Sequence, residues 1–226
     1  MRVLKIALGA LVGLVVLWNV FYPAVRVNYR LTLEVETPEG PRTGGGVIAM
    51  YYGLVPQLWA TQGVDSGVQG EAVAVDLGPR GTMFALLTGR TRDGTPGWPE
   101  AHHMLTKVMA PELWAPGKMP DRERVSRVGQ MSGTREVPAE FIPFLVRFRD
   151  EKDPKSVEAV NPANLAASFG PGVMLSGVTI EMVSAGTWPL SLFGIGGEPV
   201  TRGIEGRLGW LDHLDQYRSD PNNRFT

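Results

Sequence analysis

From Val25 to Glu36 every odd-numbered residue is apolar (Val25, Val27, Tyr29, Leu31, Leu33, Val35), and every even-numbered one is polar (Arg26, Asn28, Arg30, Thr32, Glu34, Glu36). Side chains along a β-strand point alternately to opposite faces, so this strict period of two dictates a long strand with one buried and one wet face. Such a strand needs partners. Thr37-Pro38-Glu39-Gly40-Pro41 and Gly44-Gly45-Gly46 read as a connection, and Val47 to Tyr52 as the returning strand of a hairpin. A second hairpin is expected from Ala72 to Leu77 and Thr82 to Leu87, around a turn at Gly78-Pro79-Arg80-Gly81.

The remaining segments alternate between loops and short elements. Val55 to Gly70 is turn-rich and reads as irregular. Pro99 is placed to open a helix through Val108, and Asp121 to cap one reaching Met131, with Gly133 as its stop. Pro111, Pro116 and Pro120 make a loop between them. Strands are expected again at Phe141 to Arg149 and Val173 to Val183, separated by a helix from Pro162 to Phe169 that Asn161 caps and Gly170 ends. Ile204 to Tyr217 carries an apolar face interrupted by Gly206 and Gly209. The 28 glycines and 18 prolines are scattered and not massed in repeats, which favours many short elements joined by tight turns.

Ahead of the alternating strand, Arg2 and Lys5 give a basic start, and from Ile6 to Tyr22 the one strongly polar residue is Asn19. A spanning helix takes roughly 17–25 apolar residues, and a signal-peptide core about 7–15. Trp18, Phe21 and Tyr22 gather at the distal end, as aromatics do at a membrane–water interface. Trp18 to Val25 offers no small-x-small cleavage pair, so the segment reads as an uncleaved signal-anchor. The chain has no cysteine, which excludes disulfides, thiolate metal sites, a cysteine nucleophile and a lipidated N-terminal cysteine. Basic residues flank the segment on both sides, and the amino terminus tips the count toward N-inside, placing the domain on the periplasmic side of an inner membrane.

The expected fold class is therefore α+β: an N-terminal transmembrane helix followed by a β-rich, mainly antiparallel domain with a few short helices. Residues 1–24 are assigned to the signal-anchor, 25–218 to the extracytoplasmic domain with a helical and loop insertion at 97–135, and 219–226 to a flexible tail.

No catalytic, cofactor or metal residue is assigned. A net charge of −1 lacks the basic surplus that nucleic-acid binding needs. His102 and His103 are adjacent, and neighbours on a helix point about 100° apart, so they do not form the usual i, i+4 metal pair. Glu100, Glu112 and His213 add no ligand spacing. Ser132 and Ser184 lack the G-x-S-x-G context of a nucleophile elbow. Gly44-Gly45-Gly46 and Gly194 to Gly197 lack the Gly-Lys-Ser/Thr of a phosphate loop, and Asp150, Glu151 and Asp153 read as a charged turn. Four tryptophans, Trp59, Trp98, Trp114 and Trp188, fall in Pro- and Gly-rich segments and are the candidate interaction surface.

Three stretches carry a resemblance: Arg30 to Gly40; Leu145 to Asp150 with Asp153 to Val157; and Asn161 to Gly170 with Val200 to Leu211. Together they resemble a group of uncharacterised bacterial envelope proteins with a single N-terminal hydrophobic segment. The resemblance implies a membrane location and brings no catalytic residue. The function expected is a membrane-anchored extracytoplasmic binding or structural subunit, with the membrane and proteins of a membrane complex as partners and no cofactor. The alternatives are an exported, membrane-anchored hydrolase with the proline-rich middle as a lid, or an accessory subunit of a larger membrane complex.

Overall fold

The computed structural model describes residues 2–56, 63–91, 95–114, 119–187, 189–193 and 195–213. In chain order the elements are α1 (Arg2–Phe21), β1 (Ala24–Glu36), β2 (Arg42–Leu54), β3 (Val64–Gln69), β4 (Val73–Asp76), β5 (Thr82–Ala85), β6 (Thr88–Arg90), β7 (Pro96–Glu100), α2 (Ala101–Met109), α3 (Asp121–Gly129), β8 (Thr134–Glu136), β9 (Leu145–Phe148), β10 (Val157–Val160), α4 (Ala166–Phe169), β11 (Met174–Val183) and α5 (Ile204–Arg207). The fold is α+β, β-rich and antiparallel in every strand pair described.

The alternating stretch becomes β1, the middle strand of a five-stranded sheet ordered β3-β2-β1-β11-β8. Its apolar residues share one face with those of its neighbours, Tyr29 lying opposite Ile48 on β2 and Met182 on β11. A four-stranded sheet, β10-β9-β5-β4, and a small β6-β7 hairpin complete the strand set. The chain from β6 to β8, with α2 and α3, is inserted between β5 and β9, which pair directly at Phe84 and Val146.

Two different layers cover the inner face of the first sheet. Near the start of β1 the cover is helical, with Leu105, Val108 and Val128 in the same buried cluster as Val27 and Met50. Near the end of β1 the cover is the second sheet, which contributes Val73, Val75, Met83, Ala85 and Leu145. A separate small cluster, Phe84, Phe144, Val146 and Leu208, fills the far side of the second sheet under the C-terminal segment.

The sheets meet where the glycine run expected as a turn proves to be strand. Gly44, Gly45 and Gly46 lie inside β2, opposite Leu33, Thr32 and Leu31. A Cβ on Gly44 would stand 2.3 Å from the Ala74 carbonyl oxygen, and one on Gly46 would stand 3.1 Å from Val73 Cγ2. β4 therefore crosses β2 nearly backbone to backbone, and glycine is there for the close approach and not for a turn.

Other departures have local causes. β3 runs through a segment read as irregular, because it is a polar edge strand with no apolar alternation to announce it. Pro99 belongs to β7, and α2 begins two residues later. Asp121 is the first residue of α3, and Pro120 stands at the cap. Phe141 ends a short 3-10 turn, so the expected strand shortens to β9. Asn161 caps a tight turn through the Ala163 N–H, and α4 starts only at Ala166. On the wet face of β1, Asn28 is buried, because the segment after β11 crosses it and its Nδ2 donates to the Glu198 carbonyl at 2.8 Å. Arg30 beside it is ion-paired with both Glu181 and Glu198.

Tyr22 and Pro23 alone separate α1 from β1, and the junction is tied down. The Leu54 N–H donates to the Pro23 carbonyl at 3.0 Å, and Arg122 on α3 donates to the Phe21 carbonyl at 3.1 Å. Among the described residues no helix is long and apolar enough to cross a membrane. The helix inventory thus leaves the expected transmembrane segment at 1–24 without support.

Two outcomes follow for stability. Gly44→Ala is expected to cost about 1–3 kcal/mol, because the carbonyl it meets cannot move without shifting β4. Gly45→Ala, with its nearest atom at 3.5 Å, is expected to be neutral or to stabilise by a few tenths of a kcal/mol. Denaturant midpoints at unchanged slope read both. Glu39 is the second case: its hydrogen bond from Arg80 holds the carboxyl down from 4.5 to about 2, against a smaller opposing effect of burial. A depressed carboxylate contributes stability above its unfolded pKa that disappears as pH falls. The thermal-midpoint difference between wild type and Glu39→Gln is expected to be present near neutral pH, to shrink below about pH 4.5, and to close by about pH 2.

Candidate functional site

Tyr52 stands opposite Val25, the second residue of β1, and Ser66 stands opposite Tyr52. These residues mark the end of the sheet where α1 joins the domain. There a cavity of about 330 Å³ opens between β2, β3, α2, α3 and the 3-10 turn Pro111–Trp114. That size is at the low end for small-molecule pockets.

The periodicity of α2 builds one wall. Met104, Leu105, Val108 and Met109 are buried in the core, while His103 and Thr106, one turn apart, line the cavity. The Thr106 hydroxyl donates to the His103 carbonyl at 3.1 Å and accepts from Trp114 Nε1 at 3.3 Å. The Trp114 ring lies against the His103 ring with centroids 5.1 Å apart, and Lys107 Nζ sits 5.2 Å from the Trp114 centroid. One indole is thereby fixed by a hydrogen bond, a ring contact and a cation.

The opposite wall comes from α3, whose Val125 and Val128, three apart, are buried, while Arg124 lines the cavity and is ion-paired with Asp121 at 3.0 Å. Val64 and Leu113 add apolar lining. Burial pushes the Tyr52 hydroxyl well above the ordinary phenol range, with neighbouring Tyr29 adding to the rise. Tyr52 therefore stays neutral and is not a phenolate base. Tyr29 is raised by burial as well, and its hydroxyl has no hydrogen-bond partner among the described residues. The site combines an aromatic rim, apolar walls and a few polar groups, which suits a small ligand with an apolar body and an acceptor or anionic end.

Of the four tryptophans marked as a surface, Trp114 is on this rim and half exposed. Trp59 and Trp188 lie outside the described residues, and Trp98 is described only as backbone in β7. In the segment expected as an anchor, Trp18 packs on Tyr22 at 4.7 Å and Phe21 is exposed. His103 lines the cavity, whereas the His102 side chain is outside the description. No group of three His, Cys, Asp or Glu suited to a metal occurs among the described residues. Asp150 and Asp153 accept the N–H groups of Lys152 and Lys155, as turn carboxylates do. Tyr52, Thr106 and Arg124 went unmarked in the sequence. The nearest signals are the polar His103 and Thr106, three apart beside the apolar Met104, Leu105, Val108 and Met109, and the Val125–Val128 spacing.

Thr106→Val keeps the shape and removes the acceptor of the Trp114 indole. It is expected to destabilise by about 1–2 kcal/mol and to red-shift the tryptophan emission, as calorimetry and fluorescence read it.

No protein-family model, no curated protein and no solved structure matches this chain.

Proposed function

We propose that the chain is a membrane-anchored, extracytoplasmic binding subunit: α1 holds it to the inner membrane, and the cavity beside the α1 junction takes a small amphipathic ligand. The observation that carries this reading is the environment of α1. Leu11, Val12, Leu14, Val15, Val16, Leu17, Val20 and Phe21 are all exposed, and consecutive helical positions point all round the axis. A helix apolar on every side belongs in a protein core or in lipid. The sequence extends the same apolar character back to Ile6, behind a basic start, and the resemblance to envelope proteins with one N-terminal hydrophobic segment agrees with it. Trp18 and Tyr22 at the distal end suit the interface with water.

A second reading, an anchored hydrolase, has one observation in its favour: His103 lines the cavity together with Ser66 and Thr106. Against it, the Thr106 hydroxyl already serves the His103 carbonyl and the Trp114 indole.

Two measurements test the leading proposal. The full chain is expected to stay in carbonate-washed membranes, with the domain cut by protease added to spheroplasts, and deletion of residues 2–21 is expected to release it. A full chain that washes off defeats the anchor. For the cavity, anilinonaphthalene sulfonate, an apolar ring system carrying an anion, is expected to bind. Val128→Trp, which fills the space, is expected to weaken that binding at least about tenfold, or about 1.4 kcal/mol. Equal binding by the variant removes the ligand assignment, and ester turnover lost in His103→Ala would favour the hydrolase.

A further inference from the structure

The excursion from Ser184 to Gly197 contains no charged residue. Its tip exposes three large apolar side chains: Leu190 at 51%, Phe193 at 76% and Ile195 at 53%. Apolar side chains gathered this way on a soluble surface mark a contact site.

The course of the chain places this tip. β11 runs antiparallel to β1 and ends at Val183, opposite Asn28. Chain leaving β11 there is directed toward the start of β1, which is where α1 joins. Arg26, the third residue of β1, donates from Nη1 to the Ser191 carbonyl at 3.1 Å and holds the tip at that end. The excursion is also closed at its base. The Glu198 N–H donates to the Ser184 carbonyl at 2.7 Å, and a Cβ on Gly197 would stand 2.4 Å from the Ala185 carbonyl carbon. Across the tip, the Ile195 N–H donates to the Leu190 carbonyl at 3.1 Å. The apolar side chains are thus carried on a closed, hydrogen-bonded loop and not on a loose tail.

We propose that this loop seats its apolar tip in the lipid bilayer beside α1, giving the domain a second membrane contact that fixes its tilt. The proposal rests on the reading of α1 as a membrane anchor. With two residues between helix and sheet, the domain has no slack to stand away from the lipid surface. A charge-free loop at that end enters the headgroup region with no charged side chain to desolvate. The half-exposed Trp114 of the cavity rim belongs to the same end of the domain, as its neighbours Tyr52 and Ser66 show.

The absence of cysteine makes the test direct, since each introduced cysteine is unique. Nitroxide labels are placed by Phe193→Cys and Ile195→Cys on the loop, Val12→Cys in α1, and Met174→Cys, which is exposed at the opposite end of the sheet. The full chain is reconstituted in vesicles of phosphatidylcholine and phosphatidylglycerol. Collision of each label with oxygen, enriched in lipid, is compared with collision by a water-soluble nickel chelate. The loop labels are expected to favour oxygen several-fold more than the Met174→Cys label, approaching the Val12→Cys label. Loop labels as open to nickel as Met174→Cys, with Val12→Cys in lipid, overturn the loop contact and leave the anchor standing. A Val12→Cys label open to nickel overturns the anchor and the loop contact with it. Loop labels shielded from both reagents assign the tip to a protein surface, a second copy or a partner, and so also overturn the bilayer contact. Unchanged circular dichroism in each variant confirms that the fold is kept.

Discussion

At Gly44 and Gly46 the backbone of one sheet occupies space that side chains of the other would need, and the large core is organised around that approach. Stacked sheets ordinarily stand about 10 Å apart, with side chains of both filling the gap. Here β4 crosses β2 closer than that, so Val73 and Val75 reach past the glycines into the same cluster as Leu31 and Leu33. The glycines carry an entropic cost in a strand. What offsets it is a single continuous core that joins both sheets and the two inserted helices. The Arg80 guanidinium strengthens the same corner, bridging Glu39 in the β1–β2 connection to the Phe169 carbonyl at the end of α4. That bridge lies at the far end of β1 from α1, so the domain is closed at one end and left open, around the cavity, at the other.

The division of β1 into two halves explains where the cavity is. Sheet-on-sheet packing over Leu31, Leu33 and Val35 brings backbone against backbone at Gly44. Helix-on-sheet packing over Val25 and Val27 is set by side chains on α2 and α3, and the cavity lies between these helices and the sheet. Tyr52 and Ser66 form its sheet wall. Trp114 closes part of it, held by Thr106 and His103, and what remains is open to solvent.

Much of this was legible in the chain. The period-two stretch of β1, the β4–β5 hairpin around its Gly-Pro turn, α3 and the return strand β11 all follow from local pattern, because in each the buried face is encoded by consecutive residues. Elements whose form depends on distant partners were not legible. Gly44-Gly45-Gly46 has turn chemistry, and only the crossing of β4 makes it a strand. β3 and β8 are short edge strands of mostly polar residues, held by pairing with β2 and β11. Asn28 fits a wet face until the segment from β11 to Glu198 is laid over it. The site follows the same rule: Trp114 could be picked out by its loop context, whereas Tyr52 and Arg124 meet only through packing of elements some seventy positions apart.

The features that bear on function gather at one end of β1, and they have a common geometric origin. Tyr22 and Pro23 leave too little chain for the domain to swing away from α1, and proline restricts the residue before it to extended conformations. The Arg122 and Leu54 hydrogen bonds fix the junction further. Whatever surface holds α1 is therefore also the surface that faces the cavity and the 184–197 loop. For an apolar, all-round exposed helix the surface proposed is lipid, and under that proposal the cavity, at the same end of the domain, lies near molecules concentrated there. Partition into a bilayer raises the local concentration of amphiphiles well above their concentration in water. A small cavity with an aromatic rim and one guanidinium then needs only modest intrinsic affinity to be occupied. Under that proposal the short junction keeps the cavity near the bilayer, whereas on a long linker the same cavity would sample bulk water.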